Sequence, residues 1–172
     1  MSGATIISVV ESPPAAWPTI AGAPEGVDPA VVWQRLETWV SYRWGERSVQ
    51  LICEGCGELV PPLAPFTLDQ AELWNEGDGW QVVSLPISPR GWRLDAFGPY
   101  RLSATVGSAD APPAAVAEAF RRLASYLAQG AGTGRTRSRI DEIETERPAS
   151  WAARSLQYSG AADLLRPYRM AN

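Results

Sequence analysis

Between residues 46 and 108 prolines and glycines recur at short intervals and divide the chain into short strand-like runs, while the stretches on either side carry helical periodicity. This contrast constrains the fold more than any single motif. On the first side, Asp28-Pro29 supplies an N-cap carboxylate and a proline at the first helical position. Val32, Leu36, Trp39, Val40 and Arg43 then recur at helical spacing, and Gly45 ends the helix. In the broken middle, residues 47–53 read as a strand that Gly55, Gly57 and Pro61-Pro62 interrupt. Further strands are expected at 66–74, 80–85, 91–96 and 100–106, separated by Gly77-Asp78-Gly79, by Pro86 to Gly91 and by Gly98-Pro99. Short strands with such frequent turns predict an antiparallel meander rather than a parallel sheet. Helical logic returns at Asp110, with Pro112-Pro113 in the first turn, Val116, Phe120, Leu123 and Leu127 on one face, and Gly130 as the stop. The fold class that follows is α+β: helices packed with a small antiparallel β-sheet inserted between the first and second helices, plus a C-terminal helix and tail.

At 172 residues and 45% hydrophobic, the chain has the size of one compact domain with arms. Folding at this size buries roughly 70% of the surface that the unfolded chain exposes. Residues 4–10 read as a short strand or extended arm and residues 13–26 as a loop rich in proline and glycine, so 1–27 is assigned as an N-terminal arm and loop. The core is expected over 28–130, as helix, β-meander and helix. A glycine-rich, arginine-bearing stretch followed by an acidic run (Asp141, Glu142, Glu144, Glu146) makes 131–149 an expected flexible loop. In 150–172, Ser150 caps a last helix reaching about Tyr158, Gly160 interrupts it, and a final turn over residues 161–166 leads into a tail.

Composition removes several classes of function. No apolar run approaches the roughly 20 residues that span a bilayer. The Thr5–Val10 stretch is too short for a secretory signal and lacks its basic flank, so the expectation is a soluble chain made in the cytoplasm. The net charge is −4, all 15 basic residues are arginine, and histidine and lysine are absent. An acidic total argues against wholesale wrapping of nucleic acid. Arginine forks and eight tryptophans suit protein interfaces, although core packing accounts for about half of the tryptophans or more.

Catalytic chemistry is poorly supplied. Without histidine the chain lacks the commonest general base and metal ligand. Cys53-Glu54-Gly55-Cys56 has the spacing of half a zinc site or of a redox pair. Zinc needs four ligands, which only a site shared between subunits could complete, and the glycine and prolines that follow make a poor helix start. The cysteines therefore read as packing residues at a strand end and turn, with a small thiol-redox or metal-binding protein as the remote alternative. Asp69, Glu72, Glu76 and Asp78 lie close in sequence around a glycine turn, where solvated carboxylates are expected. The Gly130–Arg135 stretch follows a helix and lacks the lysine-hydroxyl ending of a phosphate-binding loop. No catalytic residue, cofactor site or metal site is assigned.

Two segments remain for partner contact. Arg135, Arg137 and Arg139 alternate among small residues; they either face DNA or a protein partner, or pair intermittently with the acidic run after them. Leu164, Leu165, Arg166, Pro167, Tyr168 and Arg169 place apolar and aromatic groups near the end of the sequence. Such a segment is ordered only if something ties it down, so it either packs on its own domain or docks on a partner.

Five stretches also carry a resemblance. Tyr42-Arg43-Trp44-Gly45-Glu46-Arg47 forms an arginine-bearing junction between helix and strand, and Trp80 through Leu85-Pro86 to Pro89 forms a W…LP..P segment. Gly98-Pro99-Tyr100-Arg101 gives a "GpYR" strand, Pro112-Pro113 opens a helix, and Gly160-Ala161 through Leu164-Leu165 to Pro167-Tyr168-Arg169 gives a "GA..LL.PYR" ending. In this order, over residues 28–129 and 150–170, the chain resembles the head–tail adaptor (connector) family of long-tailed phages and gene transfer agents. It departs from the family at its start, where members often carry a helical pair.

The resemblance implies a structural, non-enzymatic protein in the neck of a virion or gene transfer agent particle, assembled in the bacterial cytoplasm. Its copies would form a homo-oligomeric ring, twelve-fold in the family, with helices side by side. The ring would sit between the portal protein and a stopper or tail-terminator protein, with residues 164–169 as the portal-docking tail. DNA would pass through the lumen without specific binding. A stopper or tail-terminator ring is the neighbouring alternative.

Overall fold

The computed structural model describes residues 4–131 and 154–169. They divide into two compact units, a sheet unit from Met1–Ala16 and Gly45–Ala109 and a helical unit from Trp17–Trp44 and Asp110–Asn172. The α+β class is as expected.

The sheet unit contains β1 (Thr5–Glu11), β2 (Arg47–Leu59), β3 (Phe66–Asn75), β4 (Gly79–Val83), β5 (Ile87–Ser88) and β6 (Gly91–Val106). Every pairing is antiparallel, but the order β1-β2-β6-β3-β4 is not the expected meander, because β6 inserts between β2 and β3. The reason lies in the apolar alternation. Tyr100, Leu102, Ala104 and Val106 are all buried, so β6 takes the position covered on both flanks. Cys53, Leu51 and Val49 oppose Tyr100, Leu102 and Ala104 on one side, while Leu73 and Ala71 oppose Tyr100 and Leu102 on the other. Side chains paired this way share one face, and that face forms the core.

The glycines expected to end strands bend them instead. Gly55 and Gly57 have φ of 124° and 97°, and the β2–β6 register shifts there: Gly55 opposes Gly98, whereas Gly57 opposes Leu94. Residues 95–97 form the bulge, so β6 runs unbroken through Gly98-Pro99 where two strands were expected. A bulge turns a ribbon without ending it. Leu59 and Leu94, beyond the bend, join the same core as Leu51, Cys53, Ala71, Tyr100 and Leu102. The buried Tyr100 fastens the bulge, its hydroxyl donating to the Ala96 carbonyl at 2.9 Å and accepting from the Ala96 amide at 3.1 Å.

The helical unit contains α1 (Pro29–Val40), α2 (Ala114–Ala131), α3 (Ser155–Tyr158) and α4 (Ala161–Leu165), followed by a 3-10 turn over Arg166–Tyr168. Asp28 caps α1 as expected, accepting from the Ala30 amide at 2.9 Å. The helix stops short of Gly45, because Ser41 adopts a left-handed conformation (φ 58°) and returns its amide to the Glu37 carbonyl. The Arg43 guanidinium donates to that same carbonyl at 2.8 Å, where a cation also suits the helix dipole. The Trp44 amide donates to Glu37 Oε1 at 2.6 Å. At the start of α2, the Pro113 carbonyl accepts from Val116 and Ala117, so the proline pair precedes the first turn; the helix passes Gly130 and ends at Ala131.

Val32, Trp33, Leu36 and Val40 meet Val116, Ala119, Phe120 and Leu123 in one core, together with Trp44, Ala161 and Leu165. Trp33, which lies outside the periodic set read from the sequence, is at its centre. Its ring centroid is 4.9 Å from Phe120 and 5.7 Å from Trp44. It also stacks on Trp17 at 6.5 Å and donates from Nε1 to the Pro18 carbonyl at 3.0 Å, which fastens the proline-rich loop to the helices.

Candidate interaction surfaces

The six residues expected to dock on a partner divide into two groups. Gly160, left-handed at φ 71°, turns the chain between α3 and α4. That turn sends Ala161 and Leu165 into the core, both fully buried, with Leu164 and Tyr168 packed at its edge. The Tyr168 ring meets Trp44 edge-on at 6.3 Å. Arg169 stays exposed but lays its guanidinium 4.9 Å above the Trp39 ring. Arg166 and Pro167 face solvent, and Arg166 makes only a loose, highly exposed pair with Asp163 at 3.6 Å. Of the two alternatives for this segment, packing on its own domain describes Leu164, Leu165 and Tyr168. Arg135, Arg137 and Arg139 lie outside the described residues, as do the acidic run and Ser150.

The cysteines are not at a strand end and turn, because β2 continues past both to Leu59. Cys53 is buried and Cys56 half-buried, and both are free thiols. Burial pushes the Cys53 thiol up to about 11. It therefore stays protonated at neutral pH, whereas nucleophilic attack and metal binding need the thiolate. Among the described residues, no three His, Cys, Asp or Glu side chains gather to hold a metal ion, and no helix is long and apolar enough to cross a membrane.

The carboxylates also separate. Glu76 and Asp78 do lie in the β3–β4 turn, but Asp69 and Glu72 belong to β3. Asp69 accepts from the Thr105 hydroxyl at 3.0 Å. Glu72 takes a two-pronged contact from Arg101, with Nε to Oε2 at 2.6 Å and Nη2 to Oε1 at 2.8 Å. This hydrogen-bonded guanidinium holds the Glu72 carboxyl below the usual carboxylate range. Arg101 also lies 4.6 Å above the Trp80 ring, which meets Trp74 edge-on at 5.3 Å. Ion pair and indoles together form a built cluster on the sheet face away from the core. A carboxylate held ionised by a fixed cation is a poor proton shuttle.

Sequence reasoning missed the exposed apolar residues of this unit. Ile87 is 86% exposed, Phe97 73%, Val82 70% and Val10 63%. Phe97 stands in the bulge that Tyr100 fastens, and Ile87 pairs with Trp92 beside the turn into β6. The only sequence signal was an apolar residue next to each break, which is also what a strand end looks like.

The sequence matches no family model and no curated protein. The fold has solved counterparts. One is a chain from the virion of a native gene transfer agent (GTA) particle, with a TM-score of 0.56 and 15% identity, covering 84% of this chain and 75% of that one. Another comes from the neck of an empty GTA particle computed with C6 symmetry, with a TM-score of 0.54 and 16% identity, covering 84% of this chain and 76% of that one. At these identities the likeness is one of fold.

Proposed function

We propose that this chain is a non-enzymatic neck subunit of a phage-type or gene transfer agent particle, a head–tail adaptor whose copies form a ring between portal and tail. The observation that carries this reading is the fold it shares, over most of its length, with a chain from a GTA neck. The ordered motifs favour the adaptor over the stopper or tail terminator. Six-fold symmetry of such a neck admits rings of six or of twelve, and the adaptor family's number is twelve.

In mechanism, the protein works by burial at interfaces. A closed ring needs two unlike faces on each copy, related by a rotation that returns to the start. The acidic total keeps a bore from trapping phosphates as DNA passes, since attraction of nucleic acid needs an excess of positive charge. The portal contact falls to the outward half of the C-terminal segment, Arg166, Pro167 and Arg169, because Leu165 and Tyr168 are committed to the core. The loop bearing Arg135, Arg137 and Arg139 is a second candidate contact.

The test is direct imaging. Full-length protein is mixed with purified portal rings and examined by electron microscopy. A collar of added density on one end of the portal is expected, weakened by Arg166→Glu with no loss of folding. Portal rings that stay bare at every protein concentration overturn the reading.

A further inference from the structure

The sheet ends in two different edges, and their directions are fixed by topology. The steps β1–β2, β2–β6, β6–β3 and β3–β4 are each antiparallel, so four reversals leave β4 parallel to β1. Among the described residues, no further strand pairs with the outer side of either.

Both edges are lightly guarded: β1 carries one bulge, at Ile7, where its register with β2 shifts, and Ser8–Glu11 beyond it pair regularly. Soluble proteins blunt edge strands with lysine, proline, inward charges or bulges that twist the edge away. The sequence of β1, TIISVVE, contains neither proline nor basic residue and one charge, at its last position. That of β4, GWQVV, contains neither charge nor proline. Register also places an exposed apolar residue at each edge on the same face. Val10 opposes Gln50, which opposes Ser103, which opposes Gln70. Two positions along β3 from Gln70 lies Glu72, which opposes Val82. Val10 and Val82 thus stand on one face, away from the core, at opposite edges of the sheet.

Area favours a repeated contact over an isolated pair. A ladder along the five residues of β4 is about 17 Å long and about 10 Å deep, on the order of 170 Å² per partner and well short of the roughly 800 Å² that a stable pairwise complex buries on each side. A copy that uses both of its edges doubles its contact, and a ring lets every copy do so. Parallel edges are what a rotated second copy requires, because rotation carries β1 onto β1 and lays it alongside the neighbour's β4 in the same direction.

We propose that the β4 edge of one copy pairs in parallel with the β1 edge of the next, Val82 beside Val10, so that the sheet of each subunit continues into its neighbour. The inference rests on the ring reading and names the surface that closes it.

The test uses full-length protein in analytical ultracentrifugation over a wide concentration series, with Val10→Lys and Val82→Lys. Both side chains are mostly exposed, so circular dichroism and melting should match the parent. The parent should form a closed oligomer, and each variant alone should assemble at least about tenfold more weakly. Mixed, the two variants retain one intact β4 edge and one intact β1 edge, so they should form a one-to-one dimer and nothing larger. A parent that stays monomeric throughout overturns the proposal. A Val82→Lys protein that assembles like the parent overturns it as well, as does a mixture that regains the full oligomer. If the variants assemble normally and still cap the portal, the edge contact fails while the neck assignment stands.

Discussion

In the helical unit, α1, α2 and α4 close around Trp33, Trp44, Phe120 and Leu165, and of its large apolar side chains Val31 and Tyr158 are the exposed ones among the described residues. In the sheet unit a core of similar chemistry is formed by one face of the ribbon and its bent end, while Ile7, Val10, Val82, Ile87 and Phe97 stay in water and both edges stay open. Scattered exposed apolar residues are ordinary; their gathering on one unit with open ladders is the informative feature. The difference teaches that part of the tryptophan excess, which from composition alone suited interfaces, packs the helical unit, where Trp33 and Trp44 are buried. Most of the exposed large apolar side chains lie on the sheet unit.

The largest effect that could break this contrast is at the C-terminal segment. Leu165→Ala should cost about 2–5 kcal/mol of stability, whereas Arg166→Ala should stay within about 0.5 kcal/mol. Thermal or denaturant unfolding checks both, and a silent Leu165→Ala would mean that the segment is not part of the helical core.

A middling effect tests the sheet unit. Tyr100→Phe removes the hydroxyl from Ala96 and should cost about 1 kcal/mol. The change should appear as faster amide exchange over residues 94–98, with α1 and α2 unaffected.

The smallest effect is electrostatic. The Glu72 carboxyl is held low in the folded state by Arg101, so its stabilising contribution is complete at neutral pH. It is lost as pH falls through that depressed value, below the ordinary carboxylate range. Glu72→Gln should therefore melt earlier than the parent at neutral pH, and the gap should close in acid. A gap that persists in acid would assign Glu72 a packing role.

Local signals were legible in the sequence, and long-range ones were not. Asp28-Pro29 and the Val116, Phe120, Leu123 stripe act within a turn or two, and both helices are where those residues put them. Gly98-Pro99 and Gly55 read as breaks, because a bulge and a strand end share the same residues; only the opposing strand distinguishes them. The insertion of β6 between β2 and β3 depends on pairing across dozens of residues, which no local pattern encodes. Trp33 is centred by Trp17 on one side and Phe120 on the other, two partners far apart in sequence.

The stretches that carried the family resemblance have structural jobs as well. Arg43 and Trp44 finish α1, Tyr100 fastens the bulge, and Gly160 turns the chain so that Leu165 reaches the core. They preserve a fold more directly than they mark a contact. Of the six expected docking residues, Leu165 is buried and Leu164 and Tyr168 are partly buried against the helical core.

Amide hydrogen exchange on the full-length protein, alone and assembled on portal rings, bears most directly on the claim that the sheet unit is the face kept for neighbours. Thr5–Glu11 and Gly79–Val83 should gain protection on assembly, while Pro29–Val40 and the first turns of α2 stay as slow as before. Protection gained only in the helices, with both strands exchanging as freely in the ring as in the free chain, would contradict it.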